Sequence, residues 1–470
     1  MGYGPNTNLL LISFDQWRGD WADPISPVLH LPALQNLASD GWSARRCYTS
    51  SPHCVPARMS WLTGLAPSQL GVTRNADVSL PGDAPSMIRL LRDKGWETAV
   101  IGKTHWTSHM QASDLQQNAE LFNQLGFDIS CDIAGPRALR RMECALTEAW
   151  RNAGVLDAQR ADLERRYGQG RTSEAWTVRP TVLPRELYPD IWIAERGLET
   201  LKKMPKNRPW LLWISFVGPH EPFDTPFPWH GQHQSSQLPA AASKPNWIER
   251  LPIDCELQQC MRSWHGRLST SEIKACRADY ADHLALLDTQ VERLMNGLNE
   301  RKDQSKTAVL ATADHGEMLG DCEMLYKGSF LEGAIRVPFI YRPPPNAHQS
   351  KGKTYSQPLP LTGLIQKILE NLSKGGGIKP VVSWANHQRG AVVEFGKERL
   401  YVQGSRKLCV DADGKALWAT DISQDPGEQQ NQLSVHNPWH PKWWLIKDWA
   451  QKDHKKRSNR SWIWRNITNP

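Results

Sequence analysis

The sequence lacks any apolar run long enough to cross a membrane. A membrane-spanning helix needs about 18 apolar residues in succession, whereas the first apolar stretch, Leu9 to Ile12, is far shorter. Residues 1–7 also lack the basic segment that opens a secretory signal. We therefore expect no transmembrane segment and a cytoplasmic location.

The cysteines lack the spacing of a metal-binding framework. The nine cysteines are scattered from Cys47 to Cys409, and no two of them form a Cys-x-x-Cys pair. In a chain of 470 residues, most such cysteines are expected to be reduced, buried thiols.

The sequence also lacks the strong positive charge that is typical of nucleic-acid-binding proteins. A formal net charge of +7 over 470 residues does not indicate a nucleic-acid partner, but it suits an anionic substrate. Tryptophan is abundant, with 22 residues. These side chains are expected either to line a pocket for a sugar or aromatic ligand or to reflect lineage bias.

Apolar runs alternate with amphipathic segments along most of the chain. Short continuous apolar runs are typical of buried parallel strands, and a 3.6-residue period is typical of helices. The pattern predicts strands at residues 9–14, 42–48, 98–102, 210–217 and 307–312, and helices at residues 32–38, 56–63, 86–94, 191–203, 273–298 and 361–372. Residues 112–186 are expected to form a helical insertion or lid, and residues 224–270 long loops.

The pattern changes beyond about residue 380. Four short, closely spaced runs predict a small antiparallel sheet, at residues 390–395, 399–403, 407–411 and 416–421. We therefore predict a catalytic domain at residues 1–378 and a small α+β subdomain at residues 379–470. In its basic tail, Trp443, Trp444 and Trp449 with Lys447 and Lys452 form either an amphipathic membrane face or a segment packed on the domain.

Four of the predicted strands end in ionisable residues. In open α/β sheets, functional sites gather at the carboxyl ends of the strands. If these strands are parallel neighbours, one site collects Asp15, Lys103, His105, His220, Asp314 and His315.

These residues and their neighbours fall into two chemical groups. Asp15, Gln16, Asp314 and His315 offer oxygen and imidazole ligands for a divalent cation. The second group is cationic or donates hydrogen bonds, which suits a tetrahedral oxyanion. Its members are Arg58, Lys103, Lys327, His105 and His220.

Cys54 lies at the predicted start of a helix, where the backbone N–H groups favour negative charge. A single cysteine is most often an inert buried thiol, and one in this position can also be a low-pKa thiolate.

The segment Cys54-Val55-Pro56-Ala57-Arg58 resembles the Cys-x-Pro-x-Arg core of the type I sulfatases. Further segments resemble the family in the family's order, so that the resemblance spans almost the whole chain. They are residues 10–18, 62–72, 101–105, 219–223, 314–321, 326–328 with Glu332 and 336–338, 406–408 and 425–428.

The resemblance implies an alkaline-phosphatase-like α/β fold. Its mixed, mostly parallel sheet is flanked by helices, with a smaller C-terminal antiparallel sheet. It also implies a sulfatase that hydrolyses a small-molecule or carbohydrate sulfate ester. Cys54 would be converted by a maturation enzyme to formylglycine (3-oxoalanine), whose hydrate attacks sulfur.

The resemblance assigns a role to each candidate residue. Asp15, Gln16, Asp314, His315 and the modified Cys54 would hold the cation, with Ca²⁺ expected and Mn²⁺ as the alternative. Arg58 would hold the hydrated aldehyde, and His105 would accept its proton. The sulfate oxygens would be bound by Lys103, His220 and Lys327.

Two positions depart from the common sulfatase pattern. Many sulfatases have Asp in place of Gln16 and Asn in place of His315, whereas this pair is similar to that of the phosphonate monoester hydrolases. Hydrolysis of a phosphonate or phosphodiester is therefore the alternative activity. A non-catalytic protein whose tail binds a polyanionic glycan or anionic lipid is a further hypothesis, and it predicts full function after Cys54→Ala. The sequence predicts no oligomeric state.

Overall fold

A strand of seven buried residues, Asn8–Phe14, lies inside an eight-stranded sheet. The structure is a computed structural model and describes residues 7–21, 29–109, 112–168, 175–345, 351–375, 379–433 and 443–458. The strands are β1 (Asn8–Phe14), β2 (Trp42–Ala44), β3 (Cys47–Tyr48), β4 (Glu97–Gly102), β5 (Ile129–Asp132), β6 (Trp210–Ser215), β7 (Thr307–Ala313), β8 (Arg336–Val337), β9 (Phe339–Arg342), β10 (Lys353–Tyr355), β11 (Leu359–Pro360), β12 (Ala391–Phe395), β13 (Glu398–Gln403), β14 (Arg406–Val410) and β15 (Ala416–Asp421).

The helices are interspersed with these strands. In one group α10 packs against α1 and α8, and in the other α12 packs against α2 and α4. The helices are α1 (Pro32–Ser39), α2 (Cys54–Thr63), α3 (Pro67–Leu70), α4 (Met87–Asp93), α5 (Ala119–Leu125), α6 (Ala145–Asn152), α7 (Leu156–Tyr167), α8 (Pro189–Lys203), α9 (Glu256–Trp264), α10 (Thr270–Asn299), α11 (Glu332–Ile335), α12 (Leu361–Ser373), α13 (Lys379–Asn386) and α14 (Trp444–Ser458).

The large sheet has the strand order β10-β2-β9-β7-β1-β6-β4-β5. Only the pairings of β9 with β2 and with β7 are antiparallel. The central strands β1, β6 and β7 are buried along their whole length, which explains their continuous apolar sequences. The predicted fold class, a mostly parallel α/β sheet flanked by helices, is confirmed.

Three predictions about local structure were wrong or incomplete. The predicted strand at residues 42–48 is interrupted by a turn at Arg45 and Arg46, so β2 joins the large sheet and β3 joins a separate sheet with β8 and β11. The expected loops of residues 224–270 include α9, and the expected helical insertion includes the edge strand β5.

The C-terminal part contains the predicted antiparallel sheet, in the order β12-β13-β14-β15. Trp443, Ile446 and Ala450 are buried against this sheet, and the Trp449 ring lies 5.2 Å from that of Tyr401. Packing on the domain is therefore the interpretation that the structure supports for Trp443 and Trp449. Residues 434–442 and 459–470 lie outside the described residues, and the domain boundary at residue 378 stays a prediction.

The tryptophans are mainly core residues. Eight of them are among the largest fully buried side chains: Trp17, Trp21, Trp61, Trp106, Trp150, Trp210, Trp213 and Trp418. Among the described helices, none has both the length and the apolar character needed to cross a membrane.

Candidate active site

Cys54 begins α2, as predicted, and is fully buried. The preceding residue, His53, has extended backbone angles, and its Nδ1 accepts the backbone N–H of Asn75 at 3.0 Å. The side-chain oxygen of Asn75 accepts the N–H of Val55, also at 3.0 Å. The thiol therefore lies at the positive end of a ten-residue helix whose first turn is fixed by neighbouring side chains.

The register of two central strands brings the acidic residues together. In the parallel pairing of β1 and β7, Phe14 lies opposite Ala313, so Asp15 and Asp314 are the next residues along each strand. The backbone N–H of Asp314 donates to the carbonyl of Phe14 at 3.1 Å. Adjacent parallel strands thus deliver two buried carboxylates to the same edge of the sheet.

Four potential metal ligands cluster there. One ligand atom from each lies within 4.8 Å of the others, and all four residues are buried: Asp15, Cys54, Asp314 and His315. The Cys54 Sγ lies 3.1 Å from His315 Nε2 and 3.7 Å from Asp15 Oδ1. His315 Nδ1 is within 2.9 Å of the carbonyl of Gly316, which orients Nε2 toward the cluster. This donor set fits a divalent cation, with the thiol in the position that the modified side chain would take.

Arg58 lies one helical turn after Cys54 and joins the strand ends. Its Nε donates to Asp314 Oδ2 at 2.6 Å, and its Nη1 donates to the carbonyl of Lys103 and to Ser215 Oγ at 2.5 and 2.9 Å. The remaining nitrogen, Nη2, is buried without a hydrogen bond to any described residue and lies 3.5 Å from Asp15 Oδ2. The guanidinium therefore faces both carboxylates, and Nη2 retains the capacity to donate to another group.

Buried cations surround the carboxylates and the thiol. The Lys103 ammonium forms an ion pair with Asp15. Burial and Cys54 act to raise the pKa of Asp15, but the positive charges nearby, chiefly that of Lys103, hold it below its ordinary value. Burial likewise opposes ionisation of Cys54, yet Lys327, Lys103 and His315 hold its pKa well below that of an ordinary thiol. The site therefore stabilises negative charge at this position.

Gln16 connects the metal-ligand cluster to Lys327 and two glutamates. Its Oε1 accepts from Lys327 Nζ at 2.5 Å, and its Nε2 donates to Glu221 at 3.0 Å and also to Glu317. Burial and Glu221 raise the pKa of Glu317 to about 7. The amide of Gln16 thus lies beside the cluster and holds Lys327 in place.

Two histidines complete the predicted set. His105 is partly buried beside Cys54, and its buried Nδ1 has no hydrogen-bond partner among the described residues. Burial and the charge of Lys103 hold its pKa well below its ordinary value, so the ring is neutral and able to accept a proton. His220 Nδ1 lies 2.7 Å from the carbonyl of Glu221, so Nε2 is the ring nitrogen that remains to contact a ligand.

A cavity of about 350 Å³ opens onto these residues. Such a volume is at the small end of the range for ligand pockets. Its walls consist of Cys54, Val55, Asn75, Ala76, Lys103, His105, Thr107, His109, Gly135, Pro136, Arg137, Ala138, Arg140, Arg141, Met142 and His220. None of the tryptophans that the structure describes lines this cavity, so it does not support the alternative in which they line a pocket for a sugar or aromatic ligand.

The family model described as "Sulfatase" matches residues 7–372, about three quarters of the sequence. The chain belongs to the sulfatase family. The arylsulfatase of Clostridium perfringens is 23% identical over 457 residues, which cover 91% of this chain and 90% of the relative. The choline-sulfatase of Rhizobium meliloti is 25% identical over 453 residues, which cover 90% of this chain and 82% of the relative. As predicted, this sulfatase-family chain is a sulfuric ester hydrolase.

A solved structure supports the fold of this sulfatase-family member. The phosphonate monoester hydrolase of Agrobacterium radiobacter matches it with a TM-score of 0.75 and 20% identity, over 97% of this chain and 96% of the other. At this identity the likeness establishes a shared fold.

Several polar residues of the sulfatase site were not assigned a role from the sequence. Glu221 directly follows His220. The Nη2 of Arg137 donates to Glu221 Oε1 at 2.8 Å. Glu317 follows His315 by two residues, so both glutamates lie inside the recognised segments. Asn75 and Arg137 lie outside the segments that resemble the family, and only the tertiary structure reveals that they line the same cavity as Cys54.

Proposed function

We propose that the protein hydrolyses a sulfate monoester of a small-molecule or carbohydrate alcohol, with a formylglycine made from Cys54 as nucleophile. One observation carries the proposal. Cys54 lies within a buried cluster of potential metal ligands and is surrounded by cationic side chains. The net reaction consumes one water and yields the alcohol, sulfate and one proton.

Asp15, Asp314, His315 and the modified Cys54 would hold the divalent cation. We assign the side-chain oxygen of Gln16 as a further ligand, because Gln16 directly follows Asp15 and its backbone N–H donates to Asp314 Oδ1 at 3.0 Å. Carboxylate and amide oxygens favour Ca²⁺, and the imidazole keeps Mn²⁺ as the alternative. When bound, the cation supplies positive charge that stabilises an ionised nucleophile and the charge that develops on the sulfate.

The modified Cys54 supplies a geminal diol, of which one hydroxyl displaces the alcohol from sulfur and the other restores the aldehyde as sulfate leaves. We assign Arg58 to holding this diol through Nη2, which makes no hydrogen bond to the described residues and lies 3.5 Å from Asp15 Oδ2. His105 accepts the proton of the second hydroxyl, because its ring is neutral and its Nδ1 has no other partner among the described residues.

Lys103, Lys327 and His220 bind the sulfate oxygens. Lys103 and Lys327 exert the two largest charge effects on the Cys54 position, and His220 lines the cavity beside Lys103. The two lysines stabilise the transition state more than the bound substrate, because negative charge develops on the sulfate there. The effect is strong in a site from which water is excluded. The departing alkoxide takes a proton, and we assign its donation to His220, which lines the cavity.

The alternative activity is hydrolysis of a phosphonate monoester or phosphodiester. Gln16 and His315 support this alternative, because the pair resembles that of the phosphonate monoester hydrolases. Lys103 and His105 instead resemble the corresponding residues of the sulfatases. Phosphorus and sulfur centres share a tetrahedral geometry, so the same cations serve both. The two activities therefore differ in relative rate at one site.

Parallel rates on an aryl sulfate and an aryl phosphonate with the same phenol test this choice. We expect kcat/KM for the sulfate to exceed that for the phosphonate by at least about tenfold. Both esters carry one negative charge, but the sulfate offers three non-bridging oxygens to Lys103, Lys327 and His220, whereas the phosphonate has a carbon substituent in place of one of them. A kcat/KM far higher for the phosphonate than for the sulfate would contradict the sulfatase proposal. Cys54→Ala provides the background rate for both esters.

The proposal includes a partner and a location. A formylglycine-generating or other maturation enzyme must convert Cys54 in the same cell. All nine cysteines are free thiols, which supports a reducing compartment, and we propose the cytoplasm.

A further inference from the structure

We infer that the alcohol half of the substrate carries a second anionic group, a carboxylate or a second sulfate, which Arg141 binds at the cavity mouth. This inference rests on the proposed ester hydrolysis and specifies its substrate class. Three observations lead to it: the cavity wall carries charge of one sign, the wall segment has a fixed geometry, and Arg141 has no counter-ion among the described residues.

The charge of the cavity wall has one sign. Within the described part of the chain, no aspartate or glutamate is among the lining residues. Lysine and arginine are represented by Lys103, Arg137, Arg140 and Arg141. A pocket with cations and no carboxylate favours an anionic ligand and disfavours a cationic one.

Three of these four cations already have partners. Lys103 pairs with Asp15, and Arg137 binds Glu221 through Nε and Nη2 at 3.1 and 2.8 Å. The Arg140 guanidinium contacts Glu164 at 3.2 Å and donates to the carbonyl of Tyr167 at 2.9 Å. Their charges are therefore largely balanced before a substrate binds.

Arg141 differs from these three. Its side chain is exposed, and within the described residues it has no hydrogen bond or ion pair. It is thus a cation whose charge is not balanced by any residue that the structure describes. Because it lines the same cavity as Cys54, a ligand group is the partner that this position accommodates.

The wall that carries Arg141 is firmly held. Its backbone N–H donates to the carbonyl of Ala138 at 2.9 Å, and the flanking residues Leu139 and Met142 are buried. The same segment begins at Gly135, where an added Cβ would lie 3.0 Å from Lys103 Nζ. One short segment therefore runs from the sulfate-binding lysine to Arg141, and it fixes a second cation at the mouth of the cavity.

The apolar residues of the wall limit what lies between the two anionic groups. Val55, Ala76, Pro136 and Met142 line the cavity beside the cations. They suit the carbon skeleton of an aryl or sugar ring. The ligand that fits this wall has the sulfate ester at one end and a second anion at the other.

Three aryl sulfates test the inference. Each has a substituent joined to the ring through the same two-methylene spacer, so that the phenols have matched acidity, and the terminal groups are a carboxylate, a methyl and a trimethylammonium. We expect kcat/KM to fall in that order, with about a tenfold span between the two charged esters. Raising the salt concentration from 0.05 to about 0.5 M should reduce this span, because Arg141 is exposed.

Arg141→Gln should reduce the preference for the carboxylate ester over the methyl ester by about fivefold. Arg141→Lys should retain most of it, since the charge remains. Arg151→Gln is the matched control, because Arg151 is an exposed arginine on α6 that pairs with Glu143 at 2.6 Å and does not line the cavity.

The outcomes separate this inference from the proposed function. Equal rates on all three sulfates, or an unchanged preference in Arg141→Gln, overturn the second anionic site and leave sulfate hydrolysis standing. If none of the sulfates is hydrolysed, the sulfatase proposal fails. The same three substituents on aryl phosphonates then decide the charge preference.

Discussion

Cys54→Ala should lower kcat by at least about 10⁴-fold, on the scale of removing a catalytic nucleophile. Alanine has neither a thiol nor an aldehyde, so the covalent step is lost while the cationic pocket remains. The helix should still form, because its first turn is fixed through His53, Val55 and Asn75. The measurement is steady-state hydrolysis of an aryl sulfate, together with thermal unfolding to confirm that the variant is folded.

Cys409→Ala is the matched control for this variant. Cys409 is another fully buried thiol, on β14, and burial raises its pKa well above the ordinary value. Its loss removes a small buried group without touching the cavity, so activity should remain close to that of the unchanged protein. Full activity of Cys54→Ala would contradict the mechanism and favour the hypothesis of a non-catalytic binding protein.

Removing divalent cations with a chelator should lower turnover by at least about 10³-fold. Lys103 and Arg58 still pair with Asp15 and Asp314, but neither replaces the positive charge that the cation would supply to the nucleophile and the sulfate. Refilling with Ca²⁺ should restore more activity than Mn²⁺ if oxygen ligands dominate. A saturating cation at about 100 times its Kd should also stabilise the fold by about 2.7 kcal/mol, which a thermal shift can detect.

Two aspartate variants identify the cluster responsible. A second group of potential ligands consists of His230, Asp279 and Asp282, but both oxygens of Asp282 already accept N–H groups, from Gly231 at 2.6 Å and from His233 at 2.8 Å. Asp314→Asn should abolish the response to added cation, whereas Asp282→Asn should retain it. A response that disappears only in Asp282→Asn would place the functional metal at the second cluster.

The central strands could be predicted because burial on both faces leaves a plain sequence signal. β1, β6 and β7 are runs of apolar residues followed at once by polar ones. Ile129–Asp132 gave no such signal, since it is a half-exposed edge strand. The start of α10 was predicted three residues late, although Ser269 and Glu272 form a capping box that the sequence displays.

The metal cluster was predictable for the same reason, because it stands at the ends of those strands. The sequence could not reveal that β1 and β7 pair in the register that aligns Asp15 with Asp314. The residues of the cavity wall were harder still to predict from the sequence. Arg141 has no motif around it, and its importance depends on the path of the segment from Gly135 past Lys103. Contacts of this kind follow from tertiary packing and have no local pattern.

The mass of the peptide that contains Cys54, taken from protein that is turning over a sulfate ester, tests the central claim most directly. Conversion to formylglycine exchanges a sulfur and two hydrogens for one oxygen, and the aldehyde also reacts with a hydrazide probe. The account predicts the lighter, probe-reactive peptide, in a fraction that rises in proportion to kcat across preparations. An unmodified thiol at Cys54 in fully active protein would contradict it.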